Sequence, residues 1–215
     1  MDWKEFAINF TYNTNAIEGS NLSLTDVRNI LEKNIIPKEA SSEDVAECYG
    51  LYKAINTIKD DLDKEGPSKK LTLQYILKLH YIVFEKTKPF AGKFRSKKED
   101  AVIIEDNFGH VISYPEMPDK VFTLMRDIVN IYNEDWINLN EIFRFHIRFE
   151  NIHPFLDGNG RVGRLLLNYM LLRANKEPFD IKYNERNSYY KVFSGTIQEG
   201  GEMLKEMYLN QINTS

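Results

Sequence analysis

Residues 153–164 read HPFLDGNGRVGR, and the stretches on either side, 139–152 and 162–174, carry apolar residues at three- and four-residue spacing. That spacing marks amphipathic helices which bury one face, so the segment reads as a tight polar loop between two helices. Gly158, Asn159 and Gly160 let successive backbone N–H groups turn toward one point, and a helix starting there adds a field that favours an anion. Arg161 and Arg164 stand three apart on one face of that helix and suit the several phosphates of a polyphosphate through bidentate contacts. Asp157 beside this cradle suits Mg²⁺, which takes one or two carboxylates and completes its shell with substrate phosphates. His153, four residues earlier, carries a ring whose ordinary pKa suits taking a proton from an attacking hydroxyl.

Working outward, the same helical spacing runs through most of the 215 residues, and the fold class reads as all-α. Ser23 with Asp26 forms a capping-box pattern ahead of an apolar face of Leu24, Val27, Ile30 and Leu31. Ser41 or Ser42 caps the next helix, with an expected buried stripe of Val45, Tyr49, Tyr52, Ile55, Ile58 and Leu62. Residues 64–70 (KEGPSKK) break it, and helical patterns follow over 71–84 and 115–132. Residues 101–114 (AVIIEDNFGHVISY) depart from this pattern. Two β-branched runs flank a polar, Gly-containing turn, which reads as a hairpin whose outer edge offers unpaired backbone groups to an extended partner segment.

The composition narrows the function. A hydrophobic share of 42% with 28% charged residues belongs to a soluble globular chain, and a formal charge of −4 argues against a coat for nucleic acid. No apolar run approaches the length of a membrane span. A single cysteine, Cys48, and a start without a signal pattern lead to the expectation of a reducing cytoplasm. His80, His110 and His146 lack the spacing of a zinc site. His80 is expected in the core or at its boundary, His110 at the hairpin tip, and His146, seven residues before His153, in a supporting role beside it.

The loop resembles the signature of the Fic family: His-Pro-Phe, any residue, an acidic residue, Gly-Asn-Gly-Arg, two free positions and Arg. The resemblance extends to FAGKFR at 90–95, to the hairpin, which falls where that family carries an active-site flap, and more loosely to RNSYY at 186–190 and Gln198-Glu199-Gly200. It implies a helical bundle with a β-hairpin flap beside the site: an N-terminal helical segment over 1–36, then a catalytic core over 37–215 with the flap at about 95–114. It implies ATP as co-substrate and Mg²⁺ as cofactor, with AMP moved onto a hydroxyl of a target protein and pyrophosphate released. His153 becomes the general base, Asp157 the Mg²⁺ ligand, Gly158, Asn159 and Gly160 the anion hole, and Arg161 and Arg164 the holders of the outer phosphates. Tyr190 and Gln198 are the candidates for adenine contacts. Val102, Ile103, Ile104, Val111 and Ile112 of the flap are the docking strand for the target, for which another copy of the chain is one candidate.

Thr14 to Gly19 (TNAIEG) resembles the family's inhibitory motif, a Ser or Thr, three residues, then Glu followed by Gly or Asn. Of the Glu-Gly and Glu-Asn pairs at Glu18, Glu65, Glu150 and Glu199, Glu18 alone has a Ser or Thr four residues before it. The resemblance implies that Glu18 pairs with Arg164 and holds the enzyme off, with Thr14 and Gly19 framing the motif. Self-association is one expected control of this brake. Two alternatives use the same pocket: removal of AMP from a modified protein, and a non-enzymatic ATP-binding regulatory module.

Overall fold

The computed structural model describes residues 1–102, 115–133 and 138–214, together with the backbone of 104–105 and 111–113. Nine α-helices lie among the described residues: α1 (Trp3–Ile17), α2 (Leu24–Lys33), α3 (Ser42–Glu65), α4 (Leu73–Phe84), α5 (Pro118–Ile131), α6 (Leu139–Ile152), α7 (Asn159–Arg173), α8 (Arg186–Lys191) and α9 (Ile197–Thr214). Their starts follow from side-chain oxygens that accept the first free N–H groups. Asp2 accepts from Lys4 and Glu5, Ser41 from Asp44, Thr72 from Tyr75 and Asn138 from Glu141, while Ser23 and Asp26 form a complete capping box. Pro118 stands at the first turn of α5, so that helix begins three residues later than the periodicity suggests.

Helix α7 is the axis of the molecule. Its residues are buried almost without interruption from Asn159 to Leu171, because α1, α3, α4 and α6 all pack against it. Helix α6 in turn packs on α5 and α9, and α3 on α1 and α4. Gly50 permits the α3–α4 contact, since a Cβ there would meet the Val83 carbonyl oxygen at 2.5 Å. Phe6, Ala7, Phe10 and Ile17 of α1 belong to the same core as Leu51, Ile55, Phe84, Phe143 and Leu166, whereas α2 closes a smaller cluster of Ile8, Leu22, Val27, Ile30, Val45 and Cys48.

The stripe expected on α3 is partly out of phase. Val45, Ile55, Ile58 and Leu62 are buried, but Tyr52 is half-buried and Tyr49 exposed, and the inward places are taken by Cys48, Leu51 and Ala54. The Tyr49 hydroxyl instead donates to the Ile30 carbonyl at 3.0 Å on the rim of α2.

Ile104–Glu105 pairs antiparallel with Val111–Ser113, Ile104 opposite Ser113 and Glu105 opposite Val111, with an irregularity between the two pairs. Ile103, His110 and the turn between the strands lie outside the described residues, as do the side chains of Ile104, Val111 and Ile112. Val102 is half-buried. No helix among the described residues is long and apolar enough to cross a membrane.

Candidate active site

The loop joining α6 to α7 is built by its own side chains. His153 ends α6 in the left-handed conformation (φ 51°), Pro154 follows it, and Phe155 drops wholly into the core. Asn159 clamps the turn: its side-chain oxygen accepts from Phe155 N at 2.8 Å and its amide donates to Phe155 O at 2.9 Å. Gly158 has φ 81°, and a Cβ there would run into the Phe84 ring. The first bond of the α7 ladder runs from Val162 N to Gly158 O. The N–H groups of Asn159, Gly160 and Arg161 therefore stand outside that ladder at the positive end of a 15-residue helix.

Arg95, almost fully buried, supports the loop from outside. Its side chain donates to His153 O at 2.7 Å and Ile152 O at 3.0 Å, giving the last carbonyls of α6 a cation, and its backbone N donates to Pro154 O at 2.9 Å. His80 completes the support. Its Nδ1 accepts from Gly92 N at 2.9 Å, so Nε2 carries the proton and donates to Asp157 O at 3.1 Å, while the ring stacks on Phe155 at 3.9 Å. The core placement expected for His80 holds, and it also fixes the backbone of Asp157.

His153 is half-buried at the mouth of the loop. Its Nδ1 lies 3.3 Å from Glu150 O, and because a carbonyl only accepts, Nδ1 holds the proton and Nε2 keeps its lone pair. Burial pushes its pKa down to about 4, with Arg95 acting in the same direction. The ring is thus a neutral base at pH 7.

Asp157 has its Oδ1 bonded by Gly158 N at 2.6 Å and by Arg161 Nη2 at 3.4 Å, and its Oδ2 by Lys88 Nζ at 3.0 Å. Burial works to raise its pKa, but Arg161 and Lys88 outweigh that and hold the carboxyl below its usual range. Arg161 is itself buried. Glu47 of α3 pairs with its Nη1, and its guanidinium lies 4.5 Å over the Phe84 ring. Glu47 also accepts from Thr87 Oγ1 at 2.9 Å.

Arg164, one turn further along α7, reaches toward α1. Its Nη2 donates to Glu18 Oε1 at 2.6 Å and to Thr14 O at 3.1 Å, and its Nη1 to the Tyr189 hydroxyl at 3.4 Å. Burial disfavours its charge, and the Glu18 carboxylate more than restores it. Glu18 caps the C-terminus of α1, and Gly19 turns the chain away with φ 96°, a conformation that suits glycine there. The Glu18 carboxylate also lies against Gly160, where a Cβ would come within van der Waals radii of Glu18 Oε1 and 3.0 Å from Arg164 Nη1.

Tyr190 is close to the Glu18 turn, its hydroxyl donating to Ile17 O at 3.2 Å. Gln198 is on the exposed face of α9, where its amide donates to Glu202 at 2.9 Å, and no contact among the described residues joins it to the loop. His146 is completely buried and bonded to Gly163 O and the Tyr189 hydroxyl. The residues that sequence reasoning missed are Glu47, Lys88, Tyr189 and the pair Asn13–Asp180, in which the Asn13 amide donates to both carboxylate oxygens at 3.1 and 3.0 Å. Asn13 Oδ1 also accepts from Tyr183 N at 3.0 Å, so α1 is clasped to the segment before α8. The Arg161–Glu47 and Asn13–Asp180 partners lie more than a hundred residues apart, and no local pattern announces them.

Comparisons with known proteins agree with this geometry. The Fic/DOC family profile matches residues 70–171, which include the whole loop. The protein adenylyltransferase Fic of Nematostella vectensis is 31% identical over 190 residues, covering 87% of this chain and 43% of that protein. The protein adenylyltransferase Fic of Aedes aegypti is 33% identical over 197 residues, covering 87% and 36%. The chain spans less than half the length of these curated relatives. Among solved structures, a Fic domain containing signaling protein from Bacteroides thetaiotaomicron superposes with a TM-score of 0.79 at 25% identity, over 98% of this chain and 82% of that one. Fic-1 from C. elegans gives 0.80 at 27% identity, over 98% and 62%. With the signature loop complete and the fold shared along nearly its full length, the chain carries a Fic/DOC domain over residues 70–171.

Proposed function

We propose that this chain transfers AMP from ATP to a hydroxyl group of a protein side chain, and that Glu18 holds the reaction off. The observation that carries the reading is a neutral His153 beside a row of free α7 N–H groups, with the Glu18 carboxylate bonded to Arg164 at their edge. His153 Nε2 takes the proton of the incoming hydroxyl as its oxygen bonds to the α-phosphorus and the bond from phosphorus to pyrophosphate breaks. The N–H groups of Asn159, Gly160 and Arg161 receive the charge that gathers on the phosphoryl oxygens. Asp157 fits Mg²⁺, because its carboxylate is held ionised and stays partly exposed. When bound, the ion would neutralise phosphate charge, and Lys88 would give up its place on Oδ2.

Arg164 is the residue for the outer phosphate, and a carboxylate bonded to it both removes that clamp and repels the triphosphate. Arg161, paired with Glu47, acts chiefly by orienting Asp157. Tyr190, beside the Glu18 turn, is the better placed of the two candidates for the adenine, and Gln198 the poorer. The flap residues Val102 to Ile104 with Val111 and Ile112 would hold an extended target segment by strand pairing.

A second reading, removal of AMP from a modified protein, draws on one feature. Arg164 takes only Oε1 of Glu18, and the side chain stays 29% exposed, so the other oxygen can align a water. The test is labelled ATP with Mg²⁺ and cell lysate, comparing wild type, Glu18→Gly and Glu18→Gly with His153→Ala. A labelled band in the Glu18→Gly protein alone supports transfer, brake and base together, and equal labelling by the first two ends the brake. Release of AMP from a modified target, lost on Glu18→Gly, would favour the second reading.

A further inference from the structure

Arg164 has three oxygen partners, and they do not come from one place. Thr14 lies on α1 and Glu18 caps its C-terminal end, whereas Tyr189 lies on α8. Any event that withdraws the end of α1 removes the first two and leaves the third. We propose that Tyr189 and His146 form a positioning relay that keeps the Arg164 guanidinium aimed at the outer phosphate of the nucleotide once Glu18 has gone. The inference rests on the reading of Arg164 given above.

The proton positions in this relay follow from its end groups. A guanidinium only donates, so the Tyr189 oxygen accepts from Arg164 at 3.4 Å. The Tyr189 O–H must then point elsewhere, and His146 Nε2 is 2.9 Å away. His146 Nδ1 lies 3.1 Å from the Gly163 carbonyl, which only accepts, so Nδ1 holds the proton and Nε2 is free to accept from Tyr189. Burial, with Arg164 adding to it, pushes the His146 pKa down to about 3, so this neutral form persists across the working range. The bonds run Arg164 to Tyr189 to His146 to Gly163, and Gly163 is the neighbour of Arg164 on α7. The ring closes on the helix turn it starts from, through α6 and α8, without using α1.

Packing keeps the ring in place. Arg164, Tyr189 and His146 are each no more than 2% exposed, and the Tyr189 ring lies 5.5 Å from the guanidinium carbon. Gly163 is needed for the relay's end, since a Cβ there would collide with Glu150 Oε1 and approach His146 Cε1 to 3.1 Å. Among the described residues no hydrogen bond or ring contact joins Tyr189 or His146 to His153 or to the N–H groups of Asn159, Gly160 and Arg161, so their effect on the reaction passes through Arg164.

The experiment is calorimetric binding of ATP and of ADP, each with Mg²⁺, to the Glu18→Gly protein with and without Tyr189→Phe. ADP lacks the phosphate in question and reports on the rest of the site. Tyr189→Phe should raise the Kd for ATP about tenfold while that for ADP stays within about twofold, the size expected for one hydrogen bond to a charged group. His146→Gln in the same background should act in the same direction with a smaller effect, and it carries the test if the tyrosine variant does not fold. An ATP preference that survives both substitutions overturns the relay, as does an equal weakening of ATP and ADP, which a purely structural role would give. If Glu18→Gly alone binds ATP no better than ADP, the assignment of Arg164 to the outer phosphate fails first, and the relay with it.

Discussion

Arg161 and Arg164 leave the same helix three residues apart, and each meets a glutamate from an earlier helix, yet the two pairs are built differently. Arg161 and Glu47 are both about nine-tenths buried, and Glu47 is further bonded by Thr87. Arg164 is buried as deeply, but Glu18 stands at the last turn of α1 with 29% of its side chain exposed and a glycine behind it. The first pair is nearly closed to water, and the other carboxylate on Arg161, Asp157, stands further off at 3.4 Å. The second has an exposed partner that a phosphate can replace. A fold can thus use one chemistry as a strut at one position of a helix and, in the proposed function, as an exchangeable contact three residues further on.

Substitution separates the two. Glu47→Ala leaves a buried guanidinium with only the 3.4 Å contact to Asp157 and should cost about 3 kcal/mol of stability, read as a fall in the urea midpoint. A loss near zero would place the two pairs in one class. Glu18→Gly should change stability far less but raise AMP transfer about a hundredfold, the scale of restoring one charged clamp on a phosphoryl group. Unchanged transfer would erase the distinction from the other side.

The Arg164 face also holds Glu150, whose carboxyl is pushed up to about 8 by burial, with one oxygen lacking a hydrogen-bond partner. An unfolded carboxyl titrates near 4.5, so the contribution of Glu150 is present below that pH and is lost as pH rises toward 8. His80, His146 and His153 act in the opposite sense, with pKa values lowered to about 4, 3 and 4, so their contribution is lost as pH falls below 6.5. Above that pH they are neutral in both states and Glu150 dominates. Unfolding free energy should fall by up to about 2 kcal/mol from pH 6.5 to 8, and Glu150→Gln should flatten the decline. A flat wild-type profile would remove Glu150 from this role. The smallest effect expected is that of Asn13→Ala, which opens the clasp between α1 and Asp180. It should cost about 1–2 kcal/mol and raise transfer by only a fewfold, short of Glu18→Gly. Full release by Asn13→Ala would show that the clasp, more than the ion pair, holds the brake.

The parts legible in the sequence are those whose cause is local. The capping box at Ser23 and Asp26, the cap at Ser41 and the loop at 153–164 each state their geometry within a few residues. Glu47 and Lys88 could not be found in that way. Each is a charged residue on a helix or turn, the usual sign of a solvated face, and only the packing of α3 and α4 on α7 turns them toward Arg161 and Asp157. Tyr49 shows the opposite error. A large ring at the right spacing reads as core, but Tyr49 lies at the rim of α2, where its hydroxyl meets the Ile30 carbonyl, and Cys48, Leu51 and Ala54 take the buried places. The Asn13–Asp180 clasp and the Tyr189–His146 contacts depend on where α8 returns, which no single stretch encodes.

At Gly160 a hydrogen stands where any other residue would carry a carbon, and the vacated space is where the Glu18 carboxylate rests. The same bareness leaves the helix's opening N–H groups approachable. Under the proposed function this makes the position doubly constrained: a substitution that evicts Glu18 also crowds the nucleotide, so a lineage cannot escape the restraint by mutating the seat. Escape has to come through α1, where Glu18 can be changed and the catalytic loop left as it is.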